Sequence, residues 1–209
     1  MYTHFFCFQL LPNKIRYLRS FLFVDPVKVR EYKEYVMQRE PDGQRVMKTL
    51  VENLRKKAKE LGIKWPRLLE GPVEGGQLTR RFSAHKNYLT DRVLPVVLVK
   101  VPVVYAGQIT ELIPAWGKGR PDIQAIEAVT DDWSQRFLAL PAIITEDLIE
   151  FSAPAGRENE KAVRNAAFHA LAINPELLQV GGENILGALT DSMMRSDIWQ
   201  LSWENEDED

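Results

Sequence analysis

Apolar residues recur every three or four positions over residues 44–61, which predicts an amphipathic helix that stops at Gly62. The same period over residues 158–173 predicts a helix with a narrow face of small side chains suited to close packing. A shorter helix is expected to run through Leu138. Its predicted N-terminal cap consists of Thr130, Asp131 and Asp132.

Runs of β-branched and aromatic residues predict strands between these helices. Residues 93–105 carry the strongest strand pattern, and two prolines within it place the strand at a sheet edge or split it at a bend. Residues 2–11 and 15–24 are aromatic runs that predict a hairpin. A short strand followed by a helical turn is expected from residue 140 onward.

The composition fits one folded domain. With 209 residues, 45% of them hydrophobic, we predict an α+β fold with an antiparallel or mixed sheet packed with helices over 1–203, followed by an acidic tail over 204–209. Cys7 is the single cysteine, which rules out an internal disulfide and favours a reducing compartment, so we expect a cytoplasmic protein. We expect no membrane partner, because no apolar run has membrane-spanning length.

The net charge of −2 conceals two oppositely charged halves. Residues 1–100 contain 20 basic and 10 acidic residues, whereas residues 101–209 contain 7 basic and 19 acidic residues. A basic half can bind an anion such as nucleic acid. Alternatively, the two halves attract each other, or attract neighbouring copies of the chain.

The basic residues concentrate on the 44–61 helix and in the predicted loop that follows it. In that loop, basic residues alternate with Trp65, Phe82, His85 and Tyr88, and this combination can neutralise phosphates and stack unpaired bases. The alternative is a solvated helix face and a hydrophilic loop. The candidate nucleic-acid-binding side chains are Arg45, Lys48, Arg55, Lys56, Lys59, Lys64, Arg67, Arg80, Arg81 and Lys86.

No complete catalytic, metal or nucleotide motif is present in the sequence. The three histidines are far apart, no serine lies in a GxSxG turn, and the GKG at 117–119 is not part of a phosphate-binding loop. Asp131 and Asp132 could ligate magnesium, but a helix cap explains them more simply. We therefore expect no cofactor, no metal and no catalytic residue, with an enzyme lacking a visible site as the third alternative.

Two adjacent glycines interrupt the segment "NPELLQVGGENILGALTD", which otherwise has a helical pattern. Asn174 and Pro175 form a helix start, and a fresh helix is expected at 185–194. Gly181 and Gly182 are therefore either a helix cap or a place where another backbone comes close.

The stretch "LLQVGGENILGAL" resembles the C-terminal glycine-rich segment of the RAMP superfamily, the backbone subunits of CRISPR effector complexes. The resemblance covers about a third of the chain, and the N-terminal half departs from it. It implies a ferredoxin-like fold that grips guide RNA, with Gly181 and Gly182 at the RNA backbone.

From these patterns we predict a non-enzymatic subunit of a larger cytoplasmic assembly that binds RNA or single-stranded DNA through its basic N-terminal half. Its partners would be sibling subunits or copies of itself. The alternative is a structural or scaffold protein, of phage or plasmid type, that self-assembles through its opposite charge poles without nucleic acid.

Overall fold

The structure is a computed structural model of the chain. It describes residues 2–9, 43–84, 86–87, 89–90, 92–94, 96–103, 106–112, 121–145, 147–154 and 157–203. The helices are α1 (Gly43–Glu60), α2 (Trp65–Glu70), α3 (Gln108–Leu112), α4 (Ile123–Phe137), α5 (Glu160–Ile173), α6 (Leu177–Gly181) and α7 (Ile185–Arg195), with a 3₁₀ turn at Gly182–Asn184. The strands are β1 (Tyr2–Gln9), β2 (Val96–Val103), β3 (Leu140–Ile144), β4 (Leu148–Ser152) and β5 (Ile198–Ser202). The predicted α+β class is confirmed.

The described strands form one mixed sheet in the order β2-β1-β3-β4-β5. β1 pairs antiparallel with β2 and parallel with β3, where Cys7 lies opposite Ile143. Among the described strands β2 lies at the edge, which is one of the two positions that its prolines predicted, since an edge tolerates the missing backbone donor of Pro102. The predicted hairpin partner of β1, residues 15–24, lies outside the described residues.

The strand order differs from that of the ferredoxin-like sheet implied by the RAMP resemblance. A ferredoxin-like sheet is a split βαβ arrangement, in which another strand separates the parallel pair. Here the parallel strands β1 and β3 are direct neighbours, and β5 lies at an edge beside β4. The described sheet is therefore mixed but not ferredoxin-like.

The core lies where α4 and α5 pack against the sheet. Trp133 and Phe137 of α4 contact the aromatic rings of Phe151 and Trp199 at centroid distances of 4.8–5.3 Å, all edge-on. The Trp199 indole N–H also donates to the Met193 carbonyl at 2.8 Å, so its polar atom is satisfied in the interior. This cluster ties α4 to two strands of the sheet.

Helix α1 packs against α4 and α5 and follows its predicted pattern. Leu54 and Ala58 are fully buried, whereas Leu61, the last apolar residue of the predicted 44–61 helix, lies just past its observed end and is 41% exposed. Gly62 ends the helix with a φ of +71°, a conformation that favours glycine.

Several predicted boundaries are wrong. α4 begins at Ile123, where the Asp122 carboxylate accepts the Gln124 N–H at 2.9 Å, so Asp131 and Asp132 lie in mid-helix and cap nothing. The segment after β3 forms the hairpin strand β4 rather than a helical turn. β5 was not predicted, and α2 lies at the start of the predicted loop.

The glycine pair does mark a helix break. α6 ends at Gly181, Gly182 has a φ of +55°, and α7 starts at Ile185 after the 3₁₀ turn. Nothing lies within 4 Å of a Cβ placed on Gly182, whereas one placed on Gly181 would come within 2.7 Å of the Ile185 side chain. A junction between two helices therefore accounts for both glycines.

Candidate nucleic-acid interface

Helix α1 presents its basic residues to solvent because its opposite side is anchored in the core. Five basic side chains are exposed at successive spacings of three, seven, one and three residues, which at about 3.6 residues per turn places them along one side of the helix. They span about 21 Å at 1.5 Å per residue. Glu52 is exposed among them and offsets part of their charge. These five side chains are Arg45, Lys48, Arg55, Lys56 and Lys59.

Helix α2 and its N-cap continue this surface with two further exposed cations, Lys64 at the N-cap and Arg67 within the helix. Glu183 fixes α2, since its carboxylate accepts the Lys64 N–H and the Arg67 guanidinium, each at 3.3 Å. Those two hydrogen bonds, led by the one from the Lys64 N–H, hold the pKa of Glu183 below its usual range. At the other end, Arg164 donates to the carbonyls of Leu69 and Gly71 at 2.9 and 3.0 Å.

We call the seven exposed cations of α1 and α2 the cationic face. Its members are not equally available, because Arg67 shares its charge with Glu183. Its residues are Arg45, Lys48, Arg55, Lys56, Lys59, Lys64 and Arg67.

A pocket of about 380 Å³ opens where α1 meets α2. Its apolar lining consists of Ala58, Ile63 and Trp65, and the cations Arg55 and Lys59 lie beside it. The Arg55 guanidinium carbon lies 5.9 Å from the centroid of the Trp65 ring, within the range of a cation–π contact. The sequence identified Trp65 as an aromatic residue among basic ones, but the pocket depends on how the two helices pack.

Residues 71–84, which we call the strap, run along α7 to the sheet. The Gly76 N–H donates to Asp191 at 2.9 Å, and Arg195 donates both to that carboxylate and to the Gly76 carbonyl. Burial raises the pKa of Asp191, but the hydrogen bonds from Arg195 and Gly76 outweigh it, and the pKa lies below its usual range. The predicted loop is thus held by specific contacts.

The strap ends on the buried carboxylate of Glu150 in β4. The Ser83 N–H and hydroxyl donate to it at 3.0 to 3.1 Å, the Ala84 N–H at 3.1 Å and the Gln200 amide at 3.0 Å. Glu150 is 0% exposed, so these donors replace the water that a buried carboxylate would otherwise need. Sequence reasoning missed this site because the partners lie far from Glu150 in the chain.

The structure separates the strap cations from the cationic face. Gly71 lies at the start of α7, whereas Thr79 donates to Ser196 just after its end. The 11 residues of α7 span about 16 Å. The exposed Arg80, which lies near Arg195 and Asp197 at the end of α7, and the exposed Arg81 follow Thr79 in the strap, and the half-buried Lys86 comes two residues after the strap. His85 and Tyr88, predicted to stack bases beside them, lie outside the described residues.

Gly181 and Gly182 are not next to cations in the chain. They adjoin Glu183, the acid that holds α2, and the 86% exposed Val180. Their conformations are explained by the helix junction. The described contacts therefore do not support the predicted role of these glycines in binding a nucleic-acid backbone.

One pair of titratable residues links α4 to α5. The Nδ1 atom of His169 lies 3.5 Å from Oδ2 of Asp132, within ion-pair distance, and Arg136 contacts the same carboxylate at 2.7 Å. Burial raises the pKa of Asp132, but His169 and Arg136 together bring it below its usual range.

Among the described residues, no group of three or more histidine, cysteine, aspartate or glutamate side chains could hold a metal ion. The described helices also include none that is long and apolar enough to cross a membrane.

The fold thus defines an α+β protein whose mixed sheet packs against helices. The cationic face belongs to the N-terminal half of the chain. The chain belongs to the family described as "Domain of unknown function (DUF4253)", whose model matches residues 97–204. That region runs from β2 through β5 and leaves out the cationic face and the strap. No curated protein and no solved structure matches the chain.

Proposed function

We propose that this protein binds RNA or single-stranded DNA through the cationic face, as a non-enzymatic subunit of a cytoplasmic assembly. The observation that carries the proposal is the row of five exposed cations on α1. Leu54 and Ala58 hold the opposite side of that helix in the core, so the cations are presented on a fixed support. A row about 21 Å long can neutralise several successive phosphates.

The narrower proposal, a CRISPR-type subunit that grips guide RNA, stays a prediction. Gly181 and Gly182 were its candidate RNA contacts, and a helix junction accounts for both. The cationic face supports nucleic-acid binding independently of that resemblance.

Self-assembly through opposite charge poles is the second candidate. Part of the attraction between the two halves is already used within one chain, since Lys57 pairs with Glu176 at 2.6 Å and Arg67 with Glu183 at 3.3 Å. We therefore rank self-assembly below nucleic-acid binding.

The test is an affinity titration of a labelled single-stranded oligonucleotide at 50 and 200 mM salt. If five cations contact phosphates, the logarithmic salt slope is about −3.5, and the affinity falls by about 100-fold over that range. Replacing Lys48 and Lys56 with glutamine should reduce that slope by about 1.4. The matched change Glu52→Gln removes the exposed acid from the same surface and should tighten binding.

An affinity that is independent of salt, or the same in the Lys48→Gln/Lys56→Gln variant as in the wild type, would refute the proposal. Light scattering on the unliganded protein tests the second candidate. Salt-sensitive oligomers without nucleic acid would favour it.

A further inference from the structure

We propose that the pocket at the junction of α1 and α2 accepts an unpaired nucleobase stacked on the indole of Trp65. This inference rests on the proposed function and specifies the ligand. The cationic face would then prefer single strands with accessible bases over a bare phosphate backbone or a duplex.

The pocket combines an apolar lining with nearby cations. Ala58, Ile63 and Trp65 supply apolar surface, and Arg55 and Lys59 line the same pocket, close enough to contact the phosphates next to a bound base. Its volume of about 380 Å³ lies within the range of small-ligand sites. None of the described residues that line it carries a carboxylate. A flat apolar group attached to an anionic chain, which is what a nucleotide within a strand is, fits this combination.

Trp65 is held in a fixed orientation by its neighbours. Its ring meets Phe168 of α5 edge-on, with the centroids 5.9 Å apart and the planes at 78°. Glu183 and Arg164 fix the two ends of the short helix that carries it. A preorganised ring loses little conformational freedom when a base stacks on it.

Arg55 shows that a flat group can occupy the space over the indole. Its guanidinium already lies over the ring, at 5.9 Å from the centroid. Arg55 is exposed on α1, so its side chain can rotate away and contact a phosphate when a base takes its place. Bases in a duplex stay within the stack and cannot make this exchange.

The test compares two labelled oligomers of about 12 nucleotides, within the site sizes of single-strand binders: oligothymidylate and an abasic oligomer with the same phosphate backbone. We expect the wild-type protein to bind oligothymidylate about 5- to 150-fold more tightly, the range that corresponds to stacking one base. Trp65→Leu should reduce the affinity for oligothymidylate towards the abasic value without changing the salt slope. Trp65→Phe, which keeps an aromatic face, should restore part of the difference.

The two proposals fail in different ways. If the wild-type protein binds neither oligomer, the proposed function is wrong. If it binds both equally with a steep salt dependence, the cationic face binds nucleic acid and the base pocket is wrong. This comparison uses the unaltered protein, so it decides the question even if Trp65→Leu fails to fold. An equal loss of affinity for both oligomers in a folded Trp65→Leu variant would also overturn the inference.

Discussion

Replacing Gly187 with alanine tests how closely the strap packs on α7. A Cβ on Gly187 would lie 1.9 Å from the Pro72 carbonyl oxygen and 3.0 Å from its carbonyl carbon. Both are backbone atoms, so no side-chain rotation relieves the contact. The strap would have to retreat by more than about 1 Å, because carbon–oxygen contacts below about 3 Å are repulsive.

The size of the effect follows from three contributions. Overpacking of this kind costs about 1–3 kcal/mol. Retreat of the strap also strains the hydrogen bonds between Gly76, Asp191 and Arg195, with a loss of about 1 kcal/mol. Alanine has a higher helix propensity than glycine, which stabilises the folded protein by about 1 kcal/mol. We therefore expect a net destabilisation of about 2 kcal/mol, or about 4–8 °C in Tm for a chain of this size.

The assay is a thermal melt of the Gly187→Ala variant beside the wild type, with limited proteolysis of the strap as a local readout. Asn165→Ala is the matched control. Asn165 is exposed on α5, so replacing it with alanine changes only the helix propensity of that position. The control should raise Tm slightly. If Gly187→Ala raises Tm as the control does, and the strap resists the protease as before, the strap does not pack on α7 as described.

Three further predictions concern single residues. Gly182→Ala and Gly182→Val should each cost about 1–3 kcal/mol, with valine at the upper end, because the positive φ is strained for any side chain and more so for a β-branched one, while a Cβ itself meets no atom within 4 Å; unchanged melts would contradict this. Asp191→Asn should destabilise the protein by about 1–2 kcal/mol near neutral pH. The pKa of Asp191 is lowered in the folded state, so the stability difference between the wild type and Asp191→Asn should persist above the unfolded pKa of about 3.9 and disappear as the pH falls through the folded pKa. Urea titrations at pH 7 and 3 measure this difference. A difference that does not change with pH would refute the role of the Asp191 charge. Glu150→Gln should lower the free energy of unfolding by about 2–3 kcal/mol, since an amide NH₂ would oppose the N–H donors of the strap; equal stability in urea would show that the carboxylate is not required there.

Elements whose pattern is local could be predicted from the sequence. α1, α5 and α7 appear within one or two residues of the expected bounds, because their apolar positions recur with the period of a helix. The prolines of β2 predicted a strand at a sheet edge or one split at a bend, since each removes a donor from the ladder, and the described sheet has β2 at its edge. The exposure of the α1 cations followed from the burial of Leu54 and Ala58 on the other side.

Features that depend on distant partners could not be predicted. The short apolar runs of β4 and β5 have no distinctive period, so only their pairing identifies them as strands. The strap has the composition of a loop, and its order comes from Glu150, Asp191 and Ser196 in the other half of the chain. The pocket beside Trp65 likewise exists only once α1 and α2 are packed together.

The position of β1 has a consequence for how this chain folds. β1 precedes β2 and β3 in the chain, yet it lies between them in the described sheet, and Cys7 meets Ile143 only after the chain through β3 has been synthesised. The region matched by the family model begins at residue 97, so on its own it would lack the strand that joins β2 to the rest of the sheet. Pairings between such distant segments raise the contact order, so we expect this sheet to form late and slowly during folding. Until β1 docks, the unpaired edge of β3 is open to other chains, so refolding yield should fall as protein concentration rises.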